Sequence, residues 1–307
     1  LTGSVTPNMT AVEVVNVSTS AVATLDLLAS SGVTTISNSG STALLTVQNI
    51  GSSVESMTLG NTTAGGTFSF LASTVTGTAD AKTFTVSNVG AGTLTVDNAI
   101  EEITINSAGT ANTLTAISSA ADTINFTGSS ALSVTGVLAT AETINGSAAT
   151  GGLTFENSNT AAATISTGSG NDTVTMDGAV GTVVDTVSLG AGNDKIVYQA
   201  AGGLDKTDAL TGGDGTDTIS ALVADLDTTN FDTASTTITG FEAITVSNAL
   251  ANTVTLANIQ ATGLDTVGLA AGGTGTINFG AGAKVINVAA PLTGALTVDA
   301  SGTATTD

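Results

Sequence analysis

The sequence predicts an all-β chain, a parallel β-solenoid or β-roll of about 20-residue coils with two short strands per coil. Three observations predict it. One short signature recurs at a near-constant step along most of the chain. A second alternating run falls about halfway through many of those periods. The composition, with 37 Gly, abundant Thr, Ser and Asn and only 3% aromatics, suits short strands joined by tight turns.

The signature is often an acid, then any residue, then a β-branched or large apolar residue. It reads Glu13-Val-Val15, Glu55-Ser-Met57, Glu101-Glu-Ile103, Asp122-Thr-Ile124, Glu142-Thr-Ile144, Asp185-Thr-Val187, Glu242-Ala-Ile244 and Asp265-Thr-Val267. Weaker copies end on Ile36, Phe84, Ile165 and Ile286, the last opening at Lys284. From Val15 to Val187 most steps are 19 to 22 residues; the longer step from Met57 to Phe84 implies an insertion. The acids are expected beside the strands on the solvated face.

The second run includes Leu45-Thr-Val47, Phe68-Ser-Phe70, Leu94-Thr-Val96, Leu132-Ser-Val134, Leu153-Thr-Phe155, Val254-Thr-Leu256, Ile277-Asn-Phe279 and Leu296-Thr-Val298. Alternation at period two buries one face. A β-sandwich also has short alternating strands, but it has no reason to repeat one signature at one spacing. The narrow interior of a roll leaves little room for aromatic rings. Helix content is expected to be very low. Residues 221–239 break the ladder and form a helical turn or a loop that Phe231 plugs onto the roll; residues 24–30 are a second exception. The expected organisation is coils over 1–166, a β-roll segment with glycine-rich turns over 167–220, an insertion over 221–240 and coils again over 241–307, in one continuous solenoid.

Charge excludes several functions. Four Lys, no Arg and no His stand against 25 acids, a net charge of −21. Nucleic-acid binding needs a basic footprint that is missing here, and anionic lipid is an equally poor partner. An acidic surface suits divalent cations, which relieve its self-repulsion. Without Cys there is no disulfide and no thiolate metal site. No apolar run is long enough for a membrane helix, so direct membrane insertion is not expected. The start at Leu1 and the end in Ala-Thr-Thr-Asp suggest a fragment of a longer protein.

Three segments share one design: Thr167-Gly-Ser-Gly-Asn-Asp-Thr-Val-Thr175, Leu189-Gly-Ala-Gly-Asn-Asp-Lys-Ile-Val197 and Gly212-Gly-Asp-Gly-Thr-Asp-Thr-Ile-Ser220. Each is a six-residue turn followed by a three-residue strand, half a coil. Asp172, Asp194 and Asp217 lie 22 and 23 residues apart, so degenerate half-coils must intervene. Those are 180–188, with Gly181, Asp185 and Val187, and 203–211, with Gly203, Asp208 and Leu210. Small insertions at 176–179 and 198–202 make up the difference. The well-formed turns then share one edge of the roll. Their resemblance to the nonapeptide calcium-binding repeat of parallel β-rolls implies about two calcium sites, between the turns of Asp172 and Asp194 and between those of Asp194 and Asp217. Calcium takes six to eight hard oxygens, more than one aspartate per turn supplies, so backbone carbonyls must contribute. Gly168, Gly170, Gly190, Gly192, Gly213 and Gly215 permit the φ values needed. Ser169, Ala191 and Asp214 offer mainly carbonyls, and Asn171 and Asn193 brace the turns.

The pattern G-G-x-G-x-D-x-U-x resembles the repeat-in-toxin (RTX) calcium-binding family over about 54 residues. The full motif stands once, at Gly212; Thr167 and Leu189 replace the first glycine elsewhere. Within that family the chain looks most like the bacterial surface-layer (S-layer) branch, which is Thr-, Ala- and Gly-rich, acidic and free of Cys. The run from Gly212 to Ile219, an insertion, then Gly240-Phe-Glu-Ala-Ile-Thr-Val246 is similar to a recurring S-layer arrangement. The resemblance implies Ca2+ as the ordering ion, secretion by a type I system, a place on the bacterial cell surface and self-association into a two-dimensional lattice. Anchoring to cell-surface polysaccharide or lipopolysaccharide would use segments beyond this sequence. The alternative is a module of a large secreted RTX adhesin or another cell-surface RTX protein.

Catalysis is not expected. Zinc proteolysis and Ser or Cys triads need His or Cys, and lyases on parallel β-helices typically use Arg or Lys. A glycosidase needs only two carboxylates, and Glu101, Glu102, Glu142 and Glu156 are available, but aromatic sugar platforms are scarce.

Overall fold

A computed structural model describes residues 1–176, 183–227, 229–231, 235–259, 264–278, 285–289, 291–292 and 294–299. Gly181, Phe279, Lys284 and residues 177–179 lie outside them. The chain is all-β, 51% strand and 2% helical, and winds as a β-solenoid of about 13 turns with roughly 21 residues per turn. It divides into two compact units, Leu1–Glu156 and Asn157–Asp307.

In the first unit, parallel strands stack into two main sheets. Gly3–Val5, Ala23–Asp26, Leu45–Ile50, Gly66–Phe70, Thr93–Val96 and Ala116–Ser118 form one. Val14–Val17, Thr35–Ser39, Ser56–Gly60, Ala81–Ser87, Glu102–Ala108, Thr123–Gly128 and Thr143–Ala149 belong to the other. Alternate residues point inward, so Ile36, Leu59, Val86 and Ile105 are fully buried while Ser37, Thr58 and Thr85 are partly exposed. Phe68 and Phe84 meet edge-on across the core, ring centroids 5.2 Å apart. The interior is roomier than the composition suggests: Phe68, Phe70, Phe84, Phe126 and Phe155 are all buried.

The long step after Met57 is an insertion, as expected. Met57 pairs with Phe84, and the extra residues include the 3₁₀ turn Ala72–Thr74. The next step is different from the sequence reading. Phe84 pairs with Ile105, and Ile103 lies opposite Lys82. A slip of two residues keeps every side chain on its face, so apolar patterning alone cannot detect it. Two strands per coil also fail in this unit. Glu102–Ala108, Asn112–Leu114 and Ala116–Ser118 give three. Asn112–Leu114 starts a new ladder with Leu132–Leu138, while Ala116–Ser118 completes the old one against Thr93–Val96. Buried Asn112 holds this bend: its amide donates to Ser107 Oγ at 2.9 Å and Ala108 O at 2.9 Å, and its Oδ1 accepts the Val89 N–H at 2.8 Å.

In the second unit, Thr164–Ser166, Thr186–Ser188, Ala209–Thr211 and Ile238–Thr239 pair in sequence as one ladder. Thr173–Met176, Lys195–Tyr198, Thr218–Ala221, Ala243–Ala249, Thr266–Ala271 and Val285–Val288 form the facing one. Residues 221–227 leave the strand through turns, not a helix. Leu226 and Phe231 are fully buried, so the insertion is pinned to the core as expected of Phe231. Residues 24–30 likewise hold no helix; Ala23–Asp26 is a strand. No helix among the described residues is long and apolar enough to cross a membrane.

Candidate cation site

The strand register assembles the site. Val174 pairs with Ile196, Ile196 with Ile219 and Ile219 with Ile244. Residues two places earlier therefore stack as well: Asp172, Asp194, Asp217 and Glu242 form one column along an edge of the roll. The strands that follow the three turns begin at Thr173, Lys195 and Thr218, the seventh place of each nonapeptide.

Each acid reaches back to the turn before it. Asp194 Oδ1 accepts the Asp172 N–H at 2.7 Å and Asp217 Oδ1 accepts the Asp194 N–H at 2.8 Å. Glu242 Oε2 closes the series on the Asp217 N–H at 2.8 Å. Asp194 is 2% exposed and Asp217 0%. One oxygen of each is spent on this ladder; Oδ2 of Asp194 and Oδ2 of Asp217 are buried with no protein donor. Leaving an ionised oxygen so placed is costly unless a partner arrives.

The carboxyls respond accordingly. Burial pushes Asp194 up to about 7; the Asp172 N–H opposes the rise, and the charges of Asp172 and Asp217 add to it. Burial also raises Asp217, against the Asp194 N–H and with the charges of Glu242 and Asp214.

The glycines have a steric reason. A Cβ on Gly190 would lie 2.1 Å from Gly168 O, on Gly192 2.1 Å from Gly170 O, on Gly213 1.8 Å from Gly190 O and on Gly215 1.7 Å from Gly192 O. Turns thus stack backbone on backbone, with Ala191–Gly192 and Asp214–Gly215 forming a two-strand ladder. Positive φ occurs at Gly190, Gly192, Gly213 and Gly215 but not at Gly168 or Gly170, which differs from the sequence reading. Gly168 O and Gly190 O are not simply turned inward: they accept the N–H groups of Ala191 and Asp214, each at 2.9 Å. A carbonyl has a second lone pair to offer. Asn171 Oδ1 accepts the Asn193 N–H and Asn193 Oδ1 the Thr216 N–H, each at 2.9 Å, so the two amides do brace the turns. Ser169 and Asp214 sit exposed at the turn tips. At the first motif position, Leu189 is fully buried as a core residue, and Thr167 Oγ donates to Leu189 O.

The half-coils between them carry a second buried row. Asp185 Oδ1 accepts the Ala163 N–H at 2.9 Å, and Asp208 Oδ1 the Asp185 N–H at 3.1 Å. Asp185 is 1% exposed, which corrects its expected place on the solvated face. Most other ladder acids, such as Glu13, Glu55, Asp122 and Glu142, are exposed as expected. Burial pushes Asp208 up to about 7, against the N–H groups of Asp205 and Asp185. Asp225, from the insertion, joins this side through the Gly202 N–H. The Tyr198 hydroxyl is buried with no partner, and its phenol is pushed well up by burial and then by the charges of Asp208, Asp185 and Asp225.

Two residues escaped sequence reasoning. Glu242 was read as a strand-flanking acid, yet it stands two places before Ile244 just as Asp172 stands before Val174, and that offset was the available signal. Asp225 had none, because its place depends on how the insertion folds back.

Among the described residues, no three His, Cys, Asp or Glu side chains form a cluster that could hold a metal ion. Acids come one per turn, so any ion here must take carbonyl and solvent oxygens too. The donor set is otherwise suited to a hard dication: orphaned carboxylate oxygens and nearby carbonyls, with neither nitrogen nor sulfur. Compared with protein-family models, curated proteins and solved structures, the chain matches none of them.

Proposed function

We propose that the chain is a structural, non-catalytic segment of a secreted bacterial surface-layer protein, a β-roll of RTX type ordered by calcium. The observation that carries the calcium reading is the column of Asp172, Asp194 and Asp217, in which buried Oδ2 atoms of Asp194 and Asp217 lack any protein donor. A dication supplies what they lack and removes the repulsion between acids stacked one per turn. The surface-layer reading rests on the sequence: a Thr-, Ala- and Gly-rich acidic chain without Cys, carrying a few glycine-aspartate turns in a long solenoid.

Calcium titration with thermal melting tests the first part. Binding to the folded state raises the melting temperature. Asp194→Ala, which touches both intervals, is expected to abolish most of that rise; unchanged binding would refute the site assignment. The second part is tested on the full-length protein by electron microscopy with and without calcium. Ordered two-dimensional sheets that need calcium support the lattice reading. A monomeric rod that binds glycans or host surfaces under the same conditions overturns it in favour of an adhesin module.

A further inference from the structure

We propose that the ion-binding column extends one turn beyond its glycine-aspartate motifs, with a third cation site between the turn of Asp217 and the turn Gly240-Phe-Glu242. The proposal rests on the cation reading above and names a ligand, Glu242, that belongs to no such motif.

Three features place it there. First, Gly240-Phe-Glu242, three residues where the motif turns have six, is joined to the last glycine turn at both of its ends. Gly212 N donates to Thr239 O at 3.0 Å, and Glu242 N and Ala243 N both donate to Asp217 O, at 3.1 and 3.0 Å. Gly240 is left-handed at φ +71°, like the glycines below it. Second, a carbonyl oxygen and a carboxylate oxygen come close to each other. The point where a Cβ of residue 212 would stand lies 1.8 Å from Gly240 O and 2.7 Å from Asp217 Oδ2. Only glycine leaves that spot without a side chain. Third, Asp217 is fully buried, and its Oδ2 has no donor from the protein. Glu242 gives Oε2 to the Asp217 N–H and keeps Oε1 for another partner.

Two carboxylates, a carbonyl and water make an oxygen-only set, the chemistry of calcium rather than of a softer metal. Phe241 is fully buried beside them and fixes the turn on the core. The non-motif turn therefore continues the row with an acid one methylene longer than aspartate.

Isothermal titration with calcium counts the sites. The unchanged chain is expected to take up three equivalents in this column and Glu242→Gln two. Glutamine retains an oxygen to accept the Asp217 N–H, so the melting temperature in EDTA should hardly move. A loss of stability in EDTA with an unchanged count would make Glu242 a merely structural acceptor and overturn the third site. Amide exchange on the unchanged chain is a second measurement. The Glu242 and Ala243 amides should slow only when the third equivalent binds; saturation at two equivalents overturns the proposal. No calcium binding by the unchanged chain would instead overturn the cation reading as a whole.

Discussion

At the residue scale, Asp194 is the most exposed to its own chemistry. Its folded-state carboxyl titrates near 7 against an ordinary 3.8, and Asp208 does the same. A carboxyl raised on folding binds its proton more tightly in the folded state. Its contribution is therefore fully present below about pH 4 and is lost as pH rises through about 7. Without metal, the protein is expected to melt at a lower temperature at pH 8 than at pH 5. Added calcium should help far more at pH 8, where the ligands are ionised. Melting curves in EDTA and in calcium at both values check this. Asp194→Asn keeps the oxygen that accepts the Asp172 N–H and removes the charge. It should narrow the pH difference in EDTA and remove most of the calcium effect. An equal calcium effect at both pH values would mean that these carboxyls are not the ligands.

At the element scale, the turns are set by backbone crowding more than by side chains. Gly213 holds φ +115° with Gly190 O where a Cβ would be. Gly213→Ala should cost at least about 1–3 kcal/mol from backbone strain. Because the clash is between stacked turns, the loss should appear in EDTA and in calcium alike, by chemical denaturation. The insertion is an element of another kind. It is held by burial of Phe231, Leu226 and Val223 and by hydrogen bonds such as those from Thr255 N to Leu226 O at 2.7 Å and from Val223 N to Asn248 Oδ1 at 2.8 Å. Phe231→Ala is expected to cost about 3–5 kcal/mol, the usual price of emptying a phenyl site. It should also loosen Asp225, which proteolysis within 221–240 would reveal.

At the scale of the whole molecule, the ladders described above are parallel and their pairings join residues about one coil apart. Stability in such a chain is close to a sum of coils and their interfaces. An ion bound in one part should therefore protect that part most. Hydrogen exchange is expected to show calcium-dependent protection concentrated in the Asn157–Asp307 unit, around the turns of Asp172, Asp194 and Asp217. The Leu1–Glu156 unit, whose Glu13, Glu55, Asp122 and Glu142 are exposed, should change little. Uniform protection of both units would argue against local binding at those turns.

What the sequence determined by itself was the coil and its period, because a repeated apolar position must meet its copy on the next coil to be buried. Thus the row of Ile165 and Val187, and that of Val174, Ile196 and Ile219, were legible, and with them the stacking of Asp172, Asp194 and Asp217. The tertiary structure decided what patterning does not encode. A two-residue slip, Phe84 onto Ile105, leaves the inward face unchanged. The third strand at Asn112 depends on hydrogen bonds to Val89 and Ser107, which lie apart in the sequence. Which acids are buried follows from stacking: Asp185 lies inside and Glu142 outside, although both open the same signature. The orphaned oxygens on Asp194 and Asp217 exist only once neighbouring turns have claimed the other oxygen of each carboxylate.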